Sequence, residues 1–369
     1  MKAGPFDKVL FTLVVVLVSG GFLIFSSASL GLLARSGASF SSVALSQFLF
    51  GIVGGGIALF LMSNLHHRHL RKYAFYIFVL ACIVTLLVFI PGLGMSHGGA
   101  TRWISIGGFT MQPTELLKIA FVIYLATWLS GTYTNITNFV QGTLPYVAIV
   151  SVVGVITLLQ PDTDTFLIMG AASLAMFIVA GGRWRDVLLL VITAAILLAA
   201  LAFMRPYVLD RLTTFMHPER DLQGSGWQIH QSLIAVGTGG ITGRGFGQSV
   251  QKFEYLPEPI GDSIFAVYAE EFGLIGSCLL IFLYMGFILR GYRIANHAHD
   301  LFGTLLVVGF ITLIACQAFL NIASMIGVAP LSGLPLPFIS HGGTALLATL
   351  AMVGIILNVS KYPKKIKRS

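Results

Sequence analysis

Apolar residues fill positions 9–29 almost without interruption. Runs of similar length return near 43–63, 74–91, 113–131, 143–160, 164–181, 186–204, 263–289, 302–327 and 338–359. About 20 apolar residues in a helix cross the hydrocarbon core of a bilayer. The pattern therefore predicts an all-α polytopic membrane protein of about ten transmembrane helices. The first run follows Lys2 and Lys8 in the manner of a secretory signal, but nine more spans behind it favour an uncleaved first helix. Composition agrees: 10% of residues are charged, mean hydropathy is +0.89, and soluble chains carry about 25% charged residues. Water-soluble folds are excluded.

Charge then orients the spans. With both termini cytoplasmic, the inner side receives Lys2, Lys8, Arg68, Arg71, Lys72, Arg183, Arg185, Arg290, Arg293 and the tail cations from Lys361 onward, fourteen of the 22 Lys and Arg. Asp7, Asp186 and Asp300 are the acids on that side, so eleven of the 14 acids face outward or lie in the membrane. This satisfies the positive-inside rule for a multi-pass protein with both termini cytoplasmic. The basic tail, 360–369, suits an anionic inner leaflet better than a nucleic acid, and no nucleic-acid partner is expected. His66, His67 and His69 read more simply as part of a basic inner loop than as metal ligands. Cys82, Cys278 and Cys316 are odd in number and scattered through apolar runs, as packing residues are.

Two connections stand out by length, 92–112 and 205–262, the second between helices 7 and 8. Both lie outside in this orientation, and loops longer than about 12–15 residues are more often functional than shorter ones. No Walker loop, CxxC pair, HExxH or transporter-like repeat is present. Residues 1–369 read as a single membrane domain.

The polar residues inside or beside the spans carry the candidate chemistry, because a charge there needs a partner or a task. In QPTELLK, Pro113 suits the first helical position, and Glu115 and Lys118 share a helix face. They form either a neutralising pair or part of a site. In QPDTDT, Asp162 or Asp164 can cap the following helix. In PEPIGDSIFAVYAEEFG, Asp262 stands where span eight begins and can cap it. Glu270, eight residues on, would lie about 12 Å deeper in a continuous helix and needs a separate partner. Glu271 is about 100° further round that helix. A carboxylate at the lip of a membrane cavity can take a proton from a hydroxyl nucleophile. Arg102, Lys118, Arg205, Arg211 and Arg244 are cations suited to a phosphate. These residues predict an outward polar site for an amphiphilic anion, and leave enzyme and transporter both open.

Several strings are more specific. ATRWISIGGFTMQPTELLKIA, QPD, GWQIHQSLIAVGTGG, GRGFGQSVQKFEYLPE, AEEFGLIG and PLPFISHGG occur in that order across roughly residues 90–345. They resemble the SEDS family of bacterial cell-wall proteins, and the VQKFEYLPE wording is closer to its FtsW-like division branch than to its RodA-like elongation branch. The resemblance implies a peptidoglycan glycosyltransferase that polymerises lipid II and releases undecaprenyl diphosphate beside a class B penicillin-binding protein and other divisome or elongasome membrane proteins. It implies that Asp262 is the essential carboxylate, as general base or as ligand of a divalent cation, Mg or Mn. Arg102, Trp103, Glu115, Lys118, Asp162 and Glu271 match family positions that bind substrate or shape the cavity, and Ser340 and His341 match its Ser-Tyr-Gly-Gly element. A lipid II flippase and an inactive divisome scaffold are the alternative readings. The chain departs from the family pattern at Ile260-Gly261, where His-Thr is usual, at Thr163-Asp164, where a small residue and Gly are usual, and at His341, where Tyr is usual.

Overall fold

A computed structural model describes residues 4–34, 40–97, 100–106, 109–218, 224–253 and 255–364. The basic tail beyond Lys364 lies outside the described residues, as do Arg35 and Glu254. Nine helical segments among them are long and apolar enough to span a membrane, and the shorter apolar helix Thr163–Val179 makes the tenth. In order the helices are α1 (Lys8–Ser29), α2 (Phe40–Ser46), α3 (Gly55–Asn64), α4 (His67–Leu86), α5 (Pro113–Gly131), α6 (Leu144–Leu159), α7 (Thr163–Val179), α8 (Trp184–Met204), α9 (Pro206–Met216), α10 (Ser225–Gly239), α11 (Ile264–His297), α12 (Leu301–Met325) and α13 (Gly343–Ser360). A π-helical stretch, Gln47–Gly54, joins α2 to α3 into one span.

Local chemistry sets several boundaries. The Asp7 side chain accepts the Leu10 amide at the start of α1, and the Asp300 side chain accepts the Gly303 amide at the start of α12. Pro113 opens α5 as its sequence predicts. His66 caps α4 through its ring, and His67 packs against Asn358 and Asp300, so the histidine cluster is a helix start.

The core sits around α12, which is buried on most of its faces and packs against α5, α7, α11 and α13. At the other extreme, α8 buries Val187 and leaves Leu188, Leu189, Ile192, Ile196 and Leu197 at least half exposed, so its surface suits lipid. Close packing of α3 on α13 depends on Gly354, where a Cβ would come within 2.6 Å of the Leu59 carbonyl oxygen. The chain ends meet: the Gly4 amide donates to the Lys361 carbonyl, and the Asp7 amide to the Ser360 hydroxyl.

Both long connections carry structure that hydrophobic runs do not announce. In the first, three short strands form an antiparallel sheet in the order β1 (Gly94–His97), β2 (Ala100–Ile106), β3 (Phe109–Met111). The alternating ATRWISI sequence of β2, rich in β-branched and aromatic residues, explains it. The connection 205–262 holds α9 and α10, with α10 packed on α11.

The long helix α11 is broken. Gly273 has φ +63° and ψ −161°, backbone that only glycine adopts without strain. A break in a helix leaves carbonyls before it and amides after it without intrahelical partners, and the glycine-rich segment 240–245 meets two of each. The carbonyls of Glu270 and Glu271 accept from the amides of Arg244 and Gly245, and the amides of Leu274 and Ile275 donate to the carbonyls of Gly240 and Ile241. Residues 264–271 are buried in protein, whereas Leu274 and Ile275 are each 60% exposed. The lipid-facing span therefore begins at Leu274. Glu270 and Glu271 precede that point, in the stretch buried in protein, and because the break falls after both acids it does not alter the helical rise that separates Glu270 from Asp262.

Candidate active site

Residues 256–263, the last part of the connection from α10 to α11, form a series of turns. The amides of Gly261 and Ser263 both donate to the Glu258 carbonyl, and Glu258 holds φ +46°. The first helical residue is Ile264, and its cap, Ser263, makes no side-chain capping bond. Asp262 is thus released from the capping role that its position suggests. Its Oδ1 accepts from Gln228 Nε2 at 3.2 Å and, more weakly, from Ser263 Oγ at 3.4 Å. Among the described residues no donor meets Oδ2. The carboxyl is partly exposed in a largely dry setting. Burial pushes its pKa up to about 6, with the Gln228 hydrogen bond opposing and the Glu258 charge reinforcing the rise.

The main chain around Asp262 is held from three sides. The Asp262 carbonyl accepts from Asn321 Nδ2 on α12 at 2.7 Å, and the same amide donates to the Leu334 carbonyl. Ser340 Oγ donates to the Gly261 carbonyl at 2.7 Å, and the His341 amide donates to the Ile260 carbonyl at 2.7 Å. Ser340 is itself fixed by the Leu336 amide, and Gln47 in the π-helical stretch bonds the Ser340 carbonyl and the Gly342 amide. The Ile260-Gly261 departure is thereby explained in part: the backbone of both residues is clamped by the 336–342 segment, without a polar side chain at either. The His341 ring stacks on Phe25, with centroids 5.8 Å apart. Burial lowers its pKa below the usual 6.5, with the Glu258 charge opposing.

Glu115 and Lys118 join this scaffold. Lys118 Nζ, in a side chain only 2% exposed, lies 2.9 Å from Glu115 and 3.0 Å from Gln317 Oε1, and Gln317 Nε2 donates to the Pro335 carbonyl. One hydrogen-bonded path therefore runs from α5 through α12 to the segment that grips Gly261. Pairing and support of the site are the same feature here.

A second group gathers where α6 meets α7. Arg102 on β2 donates to the carbonyls of Gln160 and Pro161, and its guanidinium is 3.7 Å from Asp162. Asp162 caps α7 as expected, through the Thr165 amide. Asp164, where the family pattern has Gly, binds Arg211 of α9 at 2.6 Å. That departure ties the outer helix α9 to the bundle. Trp103 pairs through its backbone with Met95 in the sheet.

Glu271 falls elsewhere. Its carboxylate contacts Ser27 Oγ at 2.6 and 2.8 Å and Lys252 Nζ at 2.8 Å, and Lys252 is fully buried. Glu270 holds Ser249 Oγ and the amides of Val250 and Gln251, with Arg244 at 3.4 Å. The acid pair thus ties segment 244–252 to α1 and α11, and none of these residues is a partner of Asp262. Sequence reasoning missed Lys252, Gln228 and Asn321. Gln228 lies in the GWQIHQ string, and Asn321 is a polar residue inside an apolar span, a signal for a buried task.

Among the described residues no cluster of three His, Cys, Asp or Glu side chains is arranged to hold a metal ion. A magnesium ion needs fewer, since it is commonly held by one or two carboxylates plus substrate phosphates. The open Asp262 Oδ2 beside the charge of Glu258 fits that smaller requirement.

The family model of cell cycle proteins that groups FtsW, RodA and SpoVE matches residues 7–365. The chain belongs to this family. Among its SEDS relatives, Stage V sporulation protein E of Bacillus subtilis is 41% identical over 318 residues, covering 86% of this chain and 87% of that protein. A probable peptidoglycan glycosyltransferase FtsW of Geobacter metallireducens is 39% identical, covering 86% and 84%. The fold matches a chain from a peptidoglycan synthase complex that coordinates polymerization and crosslinking, with TM-score 0.80, 27% identity, and 96% and 97% of the two chains covered. It also matches the rod shape determining protein RodA of Thermus thermophilus, with TM-score 0.70, 25% identity and 96% of each chain covered. The SEDS architecture is thus that of a multi-pass membrane protein, as the hydrophobic pattern predicts.

Proposed function

We propose that this SEDS protein is a peptidoglycan glycosyltransferase of cell division, and that Asp262 is its catalytic base. The observation that carries the reading is the Asp262 carboxylate itself, with one oxygen bonded, the other open, and every adjacent backbone carbonyl clamped. Rigid support of this kind suits a group that must meet a substrate hydroxyl at hydrogen-bond distance. Family membership and relatives named as probable peptidoglycan glycosyltransferases support the reaction class.

The donor and acceptor are lipid II or a growing lipid-linked glycan. Asp262 accepts the proton of an acceptor sugar hydroxyl as its oxygen attacks the anomeric carbon of the donor. One glycosidic bond forms, the bond from that carbon to the diphosphate breaks, and undecaprenyl diphosphate leaves. A divalent cation, Mg or Mn, would be held by Asp262 with help from Glu258 and would neutralise the diphosphate. Arg102, Trp103, Glu115, Lys118, Asp162, Ser340 and His341 shape or support the cavity. Glu271 belongs with Lys252 in the scaffold. The site faces outward with both termini cytoplasmic, a reading supported by the charge distribution. The partner is a class B penicillin-binding protein, which fits the likeness to a polymerizing and crosslinking complex.

The test is reconstitution with the partner and lipid II, followed by gel analysis of glycan. Wild type forms polymer and Asp262→Ala forms none while still binding the partner. Polymer at the wild-type rate from Asp262→Ala sinks the assignment.

A further inference from the structure

A cavity lies at the opposite end of α11 from Asp262, beside the Gly4–Lys361 and Asp7–Ser360 contacts. It measures about 260 Å³ and is lined by Asp7, Arg290, Arg293, His297, Ile294 and Val359, among others. Its two arginines are in different states. Arg290 is locked by Asp7, which accepts from Nε at 3.0 Å and from Nη2 at 2.7 Å. Arg293 is exposed, and among the described residues its guanidinium has no hydrogen-bond or ion-pair partner. His297 donates Nδ1–H to the Arg293 carbonyl at 2.8 Å, which leaves Nε2 as its free nitrogen.

The surface leading to Arg293 is apolar. Ile275, Leu279, Phe282 and Leu289 are 60%, 58%, 71% and 62% exposed, and steps of three, four and seven residues keep them on one face of the helix. Arg293 continues this stripe, one turn beyond Leu289 and about five turns from Ile275, in line with it. Ile275 to Arg293 spans about 27 Å, close to the ~30 Å thickness of a bilayer core. A lipid chain lying on Leu289 and Phe282 therefore brings its headgroup to Arg293 and the cavity beside it.

We propose that this cavity is a binding site for an anionic phospholipid, with Arg293 as the phosphate ligand and the α11 stripe as the seat of one acyl chain. Basic pockets between transmembrane helices are suited to anionic headgroups, and an arginine fork binds phosphate in two-point fashion. Asp7 tunes the site by neutralising Arg290 and by placing a negative charge beside the incoming phosphate. The assignment is separate from the glycosyl-transfer chemistry, which lies at the other end of the helix.

The test is native mass spectrometry of the full chain in neutral detergent with dioleoyl phosphatidylglycerol, dioleoyl phosphatidylcholine or inorganic phosphate. The phosphatidylglycerol adduct is expected at one lipid per protein, at least tenfold tighter than phosphatidylcholine. Arg293→Glu lowers its affinity at least tenfold, and the milder Arg293→Gln at least threefold. Asp7→Asn, which keeps a helix cap and frees Arg290, raises affinity at least threefold. Arg185→Glu, a charge reversal at the start of α8, leaves affinity unchanged. Equal binding of phosphatidylcholine, or an equal loss in Arg185→Glu, overturns the site. Displacement of the lipid by inorganic phosphate at the same concentration overturns the lipid assignment.

Discussion

Ser340 Oγ donates a 2.7 Å hydrogen bond to the carbonyl of Gly261, the residue before Asp262. The same hydroxyl accepts the Leu336 amide, so one side chain locks the α12–α13 connection to the loop that carries Asp262. Ser340→Ala leaves a carbonyl and an amide unpaired in a buried region, at a cost of about 1–3 kcal/mol each where water does not replace the bond. The expected result is a folded protein whose polymerisation kcat falls at least tenfold with little change in KM. A full wild-type rate in the gel assay removes Ser340 as a positioning residue.

The Asp262 carboxyl, held near pKa 6, must be ionised to act as a base. Polymerisation rate should therefore rise with pH through about 6 and level off above it. The Gln228 hydrogen bond favours the carboxylate, so Gln228→Ala moves this limb to higher pH. The Glu258 charge disfavours it, so Glu258→Gln moves the limb to lower pH. Shifts in the same direction for both variants would exclude this electrostatic account. The readout is the pH–rate profile of purified protein with its partner.

Lys252 and Glu271 form an ion pair with side chains 0% and 1% exposed. Removing one partner leaves a buried charge, which costs about 3–5 kcal/mol. Lys252→Met and Glu271→Gln should each lower the thermal midpoint sharply. The double variant should be less damaged than the sum of the two, as read in a double-mutant cycle of detergent-solubilised protein.

Gly273→Ala is expected to prevent normal folding. A Cβ there would lie 2.4 Å from the Gly243 amide nitrogen and 2.6 Å from the Ile241 carbonyl oxygen, at a φ of +63°. Backbone strain alone costs about 1–3 kcal/mol, and displacing segment 240–245 would uncover four backbone groups. Expression and monodispersity on size exclusion measure the effect, with Gly170→Ala in α7, where a Cβ would meet nothing within 4 Å, as the comparison.

Hydrophobic periodicity by itself determined the number of spans, their approximate limits and the membrane class, because a bilayer sets both a length and a composition. Local chemistry likewise made Pro113, the Asp162 cap and the Glu115–Lys118 pair legible, since each depends on neighbours within one helical turn. The family strings pointed to Asp262. Only the tertiary structure decided what the acids of PEPIGDSIFAVYAEEFG do. Glu270 and Glu271 find their partners about 20 residues earlier in a loop, and the break at Gly273 is stabilised by segment 240–245; neither relation has a period to read. The support of Asp262 was hidden for the same reason. It comes from Gln228, Asn321, Ser340 and the His341 amide, brought together from three separate stretches of chain by the packing of α10, α12 and α13 around one short loop.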